Sequence, residues 1–147
     1  MDTIKNWVNF KSIKWISFAI LLVYSATPFI NGLGCDYQQQ YERDDFSFYS
    51  SCKFGYAKSI ARDKISGKVL RHEGFMGKHG DTMIFIAKNV TRQTPAPDSY
   101  DDVFSVMNND LLFIAHQIHK EKEDWIVMTY PYYRLQKVKT LGKQSLW

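Results

Sequence analysis

The sequence predicts an N-terminal membrane helix followed by a small α+β domain, mostly antiparallel and β-rich with one or two short helices. Three observations support this prediction. Residues 15–30 carry no charged side chain, apolar residues alternate along several later segments, and a capping pattern precedes an apolar group near residue 100. With 147 residues, the chain suits one domain besides the helix, so we divide it into residues 1–34 and residues 35–147.

The membrane prediction depends on residues 15–30, which read WISFAILLVYSATPFI. The alternative is a buried core helix of a soluble domain, which would normally show a polar stripe at helical spacing, and none is present here. A helix over this range would rise ~24 Å, a little less than the ~30 Å hydrocarbon core of a bilayer. Lys11 and Lys14 precede the run, and acidic residues follow Cys35. Basic residues stay on the cytoplasmic side. We therefore predict a single-pass cell-membrane protein with a cytoplasmic N terminus and a periplasmic or extracellular C-terminal domain.

The sequence leaves open whether this segment is retained in the mature protein. A basic start, a short apolar run and the helix-breaking Pro28 are also features of cleaved signal peptides. Gly32 and Gly34 place small residues just before Cys35. The string Gly-Leu-Gly-Cys also resembles a lipoprotein processing box, although Gly32 stands where leucine is usual. An uncleaved anchor, a cleaved signal peptide and a lipoprotein all remain as alternatives.

Cys35 and Cys52 are the two cysteines of the chain. In an oxidising compartment they would form a disulfide around a loop of about 17 residues. A lipid on Cys35 would preclude this bond, so the disulfide and lipoprotein predictions exclude each other. We predict the disulfide.

The remaining elements follow from local patterns. Alternation and β-branched residues predict about five strands, within the segments 46–56, 65–71, 82–90, 111–118 and 125–133. The glycine-rich stretch 72–81 is interpreted as an irregular loop or a wide hairpin turn. Ser99 stands three residues before Asp102, a capping-box-like start for a short helix over 103–107. Pro131 is expected to end the last predicted strand or place it at an edge.

Four histidines are the candidate metal ligands or catalytic groups. His116 and His119 are spaced to share one face of a helix, but on the predicted strand they point to opposite faces. His72 and His79, together with Asp81, lie in the glycine-rich stretch, and loops of this kind can bind metals or perform general acid–base chemistry. None of these spacings matches a zinc motif. We therefore expect no metal site and no other cofactor.

A basic stretch follows Cys52 and provides candidate anion-binding residues, namely Lys53, Lys58, Arg62, Lys64, Lys68 and Arg71. Basic residues interleaved with aromatic ones would suit nucleic acid in the cytoplasm. Outside the cytoplasm, the anions available are lipid head groups, envelope polymers or acidic protein surfaces. We therefore expect no nucleic-acid partner. The alternative interpretation is an ordinary solvated face.

Two functional hypotheses follow. The first is a non-enzymatic, membrane-tethered interaction protein with a protein partner, either an accessory subunit of an envelope complex or a small inhibitor or immunity-type protein. It is favoured by the single anchor, the aromatic content of 16%, the segregated charge and the lack of catalytic motifs. The second is a small exported hydrolase or metal-dependent enzyme using His72, His79 and Asp81, with His116 as a further candidate. It requires these groups to converge on one cleft.

Overall fold

One helix and eight strands make up the part of the chain described by the computed structural model, namely residues 10–93, 107, 110–120 and 123–147. Helix α1 spans Phe10–Gly32. The strands are β1 Asp36–Glu42, β2 Phe46–Lys53, β3 Tyr56–Asp63, β4 Val69–His79, β5 Thr82–Arg92, β6 Leu112–Lys120, β7 Glu123–Tyr130 and β8 Arg134–Lys143. The chain thus passes directly from one long helix into a β-domain.

The eight strands form a closed antiparallel barrel in which each strand pairs with the next along the chain. Strand β8 returns to β1, so that Tyr37 lies opposite Gly142 on one side and Cys52 on the other. The prediction of a mostly antiparallel, β-rich domain is confirmed. The one or two short helices predicted for this domain are not found among the described residues, where α1 is the only helix. The helix predicted at 103–107 lies outside these residues, apart from Met107.

Four of the predicted strands correspond to β2, β5, β6 and β7, and β7 ends just before Pro131 as expected. The loop predicted for 72–81 is wrong, because β4 continues to His79. Its glycines reflect close packing within a strand. A Cβ on Gly74 would collide with the carbonyl oxygen of Ile86, and one on Gly77 would lie 3.3 Å from the Phe29 ring. Strands β1, β3 and β8 were not predicted.

Helix α1 is longer than the predicted segment and continues through Pro28 to Gly32, so Pro28 does not break it. The part from Ile13 to Gly32 is long and apolar enough to cross a membrane. Its side chains are exposed on all sides up to residue 26, as shown by Trp15 at 73% and Tyr24 at 69%. The helix is thus compatible with a single-pass anchor or with a signal sequence.

The C-terminal end of α1 packs directly on the barrel. A Cβ on Gly32 would overlap the carbonyl group of Met76 on β4. The Asn31 side chain is only 2% exposed. Its amide nitrogen donates to the Lys78 carbonyl at 3.0 Å, and its oxygen accepts from the backbone amides of Leu146 at 3.0 Å and Trp147 at 3.1 Å. Asn31 therefore joins the helix, strand β4 and the C-terminal segment.

Replacing Asn31 with leucine should destabilise this junction by about 1–3 kcal/mol, because buried polar partners lose their hydrogen bonds. The Trp147 amide should lose its protection from hydrogen exchange. The Leu146 amide should keep part of its protection, since it also bonds the Asn31 backbone oxygen at 3.0 Å. Hydrogen-exchange NMR and urea unfolding in detergent would measure both effects. Ser25→Ala is the control, since the exposed Ser25 hydroxyl donates only within α1. Unchanged Trp147 protection would contradict the prediction.

The predicted disulfide is present and joins Cys35, just before β1, to Cys52 in β2. Both cysteines are buried. The Cys35 sulfur also accepts a hydrogen bond from the Gly55 amide at 3.2 Å. The disulfide therefore links the end of the helix segment to β2, and the hydrogen bond links it to the β2–β3 turn. A disulfide at Cys35 is incompatible with a lipid on the same residue.

Candidate functional site

The outside of the barrel carries a contiguous apolar surface over β4, β5 and β6. Strand pairing places Phe75 beside Ile86, Ile86 beside Leu112, and Ile84 beside Ile114. Phe75 is 51% exposed, Ile86 40% and Leu112 38%. We call these five residues the outer apolar face. Direct cross-strand neighbours lie ~5 Å apart, so they form one patch.

The outer apolar face is extended on one side and bordered by charge on the other. On β7 and β8, Val127 pairs with the exposed Leu135. On the β3 side, the ring of Tyr56 meets the ring of Phe75 edge-on at 5.8 Å. Next to them, Glu73 pairs with Arg71 at 2.6 Å and lies 3.9 Å from the Lys58 ammonium. An apolar centre thus adjoins a partly neutralised polar rim.

The inside of the barrel encloses a second candidate site, a cavity of about 90 Å³. Four of the five methionines of the chain line it. The remaining lining is mostly apolar with a few uncharged polar groups, namely Tyr37, Gln39, Phe48, Ser50, Ala57, Ser59, His72, Phe85, Phe113, Ala115, Ile126 and Gln136, beside Met76, Met83, Met107 and Met128. The cavity is therefore largely apolar and has a deformable wall, since methionine adapts its shape readily.

Two buried polar side chains at the cavity are held in place by neighbours. The His72 Nε2 atom lies 2.8 Å from the Met107 carbonyl oxygen, to which it donates, and the His72 ring meets Phe113 edge-on at 5.3 Å. Burial lowers the pKa of His72. Burial also raises the pKa of Tyr37 to about 12, and its hydroxyl donates weakly to the Met76 sulfur at 4.0 Å. Both groups are thus uncharged near neutral pH.

The lowered pKa of His72 predicts that the barrel loses stability in mild acid. In the unfolded chain, this histidine takes up a proton as the pH falls below the ordinary histidine pKa of 6.5. The folded barrel does not take up this proton until the pH is lower, so the unfolded state binds more protons in that interval and becomes favoured. Urea unfolding at pH values on both sides of 6.5 would measure the loss. His72→Gln should reduce the pH dependence, and an unchanged dependence would contradict the assignment to His72.

The histidines predicted from sequence do not come together. His72 points into the barrel, whereas His79 is exposed at the other end of β4. They are seven positions apart along β4, which corresponds to roughly 23 Å of strand. His116 is outside, with its ring 3.0 Å from the Thr82 hydroxyl, and His119 contacts Asp124 at 2.9 Å. The described residues hold no group of three or more His, Cys, Asp or Glu side chains able to bind a metal ion.

The basic candidates are distributed over the outside of the barrel. Lys58 and Arg71 lie on adjacent strands and share Glu73. Lys64 pairs with Glu42 at 2.9 Å. Arg62 is on β3, Lys53 ends β2, and Lys68 lies in the β3–β4 turn. Three of these candidates therefore have a carboxylate partner already, which reduces their capacity to hold a free anion.

Neither the outer apolar face nor the cavity was predicted from the sequence. The outer apolar face brings together three strands whose neighbours are set by pairing register, which the sequence does not display. Met83 and Phe85 alternate with outward-facing residues on a strand that was predicted correctly. This alternation was the sequence pattern from which an apolar interior could have been inferred. No protein-family model matches this chain, and no curated protein is significantly similar to it.

Proposed function

We propose that this chain is a non-enzymatic, membrane-tethered interaction protein that holds its barrel outside the cytoplasm and binds a protein partner there. The observation that carries the proposal is the outer apolar face. The partner is an apolar-faced subunit of an envelope complex, or the target of a small inhibitor or immunity-type protein.

The proposed location follows from charge and redox chemistry. Lys11 and Lys14 precede the apolar helix, and basic residues favour the cytoplasmic side. The disulfide between Cys35 and Cys52 is typical of an oxidising compartment. Both features support a barrel outside the cytoplasm.

The composition of the outer apolar face favours a protein partner. Clustered apolar side chains with a polar rim are characteristic of protein-binding sites, in which a central aromatic residue often contributes most of the affinity. Phe75 is the exposed aromatic side chain of the face, and it adjoins the rim formed by Lys58, Arg71 and Glu73. We therefore expect Phe75 to insert into an apolar pocket of the partner. The charged rim would favour partners that carry complementary charges around that pocket.

The test is site-specific photo-crosslinking in native membranes, with the photoreactive residue placed at Ile86. The matched control carries it at Tyr49, an exposed outer position on β2, two strands away from β4. A single stoichiometric product from position 86, absent from position 49, is the expected result. Phe75→Ala should reduce this product at least tenfold, whereas Tyr49→Ala should leave it unchanged. No stoichiometric product, or one insensitive to Phe75→Ala, would overturn the proposal.

A further inference from the structure

We infer that the cavity inside the barrel binds one small, uncharged and mainly apolar molecule, with the size of a single aromatic ring and at most one hydrogen-bonding group. This inference is independent of the protein partner, because it concerns the opposite side of the sheet.

The size of the cavity supports a bound molecule. Protein interiors are close-packed and rarely contain voids larger than a water molecule, yet this one measures about 90 Å³. Empty apolar cavities of ~150 Å³ in other proteins stay dry and take up benzene. Eight-stranded barrels have the interior width to hold one small ligand. The four methionines in the wall can adjust their rotamers, so the cavity can expand towards the volume of one ring.

The lining defines the chemistry of the ligand. None of the described lining residues is Asp, Glu, Lys or Arg, so a charged molecule would lose its hydration without a partner. The Tyr37 hydroxyl lies 4.0 Å from the Met76 sulfur, which is a weak acceptor, and it also forms a hydrogen bond with the Ser50 side chain. Tyr37 and Ser50 thus form one polar corner of the cavity, where a single hydrogen-bonding group of the ligand would find a partner. The lining therefore favours a phenol-like or short alcohol-like molecule over a pure hydrocarbon.

The cavity methionines provide the measurement. The full-length protein, labelled with ¹³C at the methionine methyl groups and placed in nanodiscs, is titrated with phenol and with benzene. We expect the resonances of Met76, Met83, Met107 and Met128 to shift along one saturable curve. Phenol should bind at least threefold more tightly than benzene, and Tyr37→Phe should reduce this difference.

Two substitutions by phenylalanine on the same strand separate cavity binding from surface binding. Ala115→Phe places a ring in the cavity and should abolish the saturable shifts. The neighbouring His116→Phe places the same ring outside the barrel and should leave them unchanged. Should Ala115→Phe fail to fold, intermolecular NOEs between ligand protons and the methyl groups of Met83 and Met128 in the wild type are the deciding measurement. No saturable shift up to the solubility limit, no such NOEs, or shifts that persist in folded Ala115→Phe would overturn the inference.

Discussion

Replacing Phe113 with alanine is expected to lower the free energy of unfolding of the barrel by about 3–5 kcal/mol. The Phe113 side chain is buried on the inside of β6 and packs against the rings of His72 at 5.3 Å and Phe85 at 5.8 Å. It also lines the cavity, so its removal would enlarge an existing void. The methionines of the wall can close part of this space, which keeps the expected cost within the usual range for truncating a buried phenylalanine.

Urea unfolding followed by circular dichroism in detergent would measure this loss. Phe75→Ala is the matched control, because it removes the same ring from the outside of the sheet, where Phe75 is half exposed. Its cost should stay below about 1 kcal/mol, as for most surface substitutions. Equal losses for the two variants would show that Phe113 does not belong to the core of the barrel.

Replacing both cysteines with alanine should cost about 3 kcal/mol, because the unfolded chain regains the freedom of an open loop. The bond closes a loop with a sequence separation of 17. Alanine is chosen over serine because both positions are buried and a buried hydroxyl would add a separate penalty. A smaller contribution comes from the Gly55 amide, which loses the Cys35 sulfur as its acceptor.

The disulfide prediction is checked by unfolding the wild type with and without a reductant, alongside the double variant. Reduced wild type and Cys35→Ala/Cys52→Ala should unfold at nearly the same urea concentration, well below that of the oxidised protein. An oxidised protein no more stable than either would contradict the expected contribution.

The apolar N-terminal helix, the disulfide and the antiparallel strands could be predicted because each depends on local composition or on residues close in sequence. An uncharged run of apolar residues is conspicuous by itself. Two cysteines allow one intramolecular pairing. Alternation in 82–90 and 125–133 is a local signal. The bounds of the elements were predicted less accurately. In β4, the glycines resemble those of a loop, but they are required by close packing against Ile86 and Phe29.

The closure of the barrel could not be predicted, since it depends on pairing between β1 and β8, at opposite ends of the domain. Strand β1 contains three consecutive glutamines, which obscure the alternation of Tyr37, Gln39 and Tyr41 towards the interior. At the closure, Gly142 has a positive φ of 99°, and a Cβ there would overlap the Asp36 carbonyl oxygen. Glycine is needed at this position because of a contact with a distant strand, which the local sequence does not show. The cavity depends on this closure, because it exists only in a closed sheet, whereas the outer apolar face depends on the register of β4, β5 and β6.

The direct junction between α1 and the barrel also limits how the protein meets its surroundings. Leu33, Gly34 and Cys35 alone separate the helix from β1, a reach of about 10 Å even when extended, and Asn31 holds the joint closed. With α1 in a bilayer, the barrel would therefore stay within a few nanometres of the lipid surface. A long flexible linker would allow it a much larger volume. Partners confined to the same membrane would meet it at a high effective concentration, so even a weak contact at the outer apolar face would suffice to keep them together.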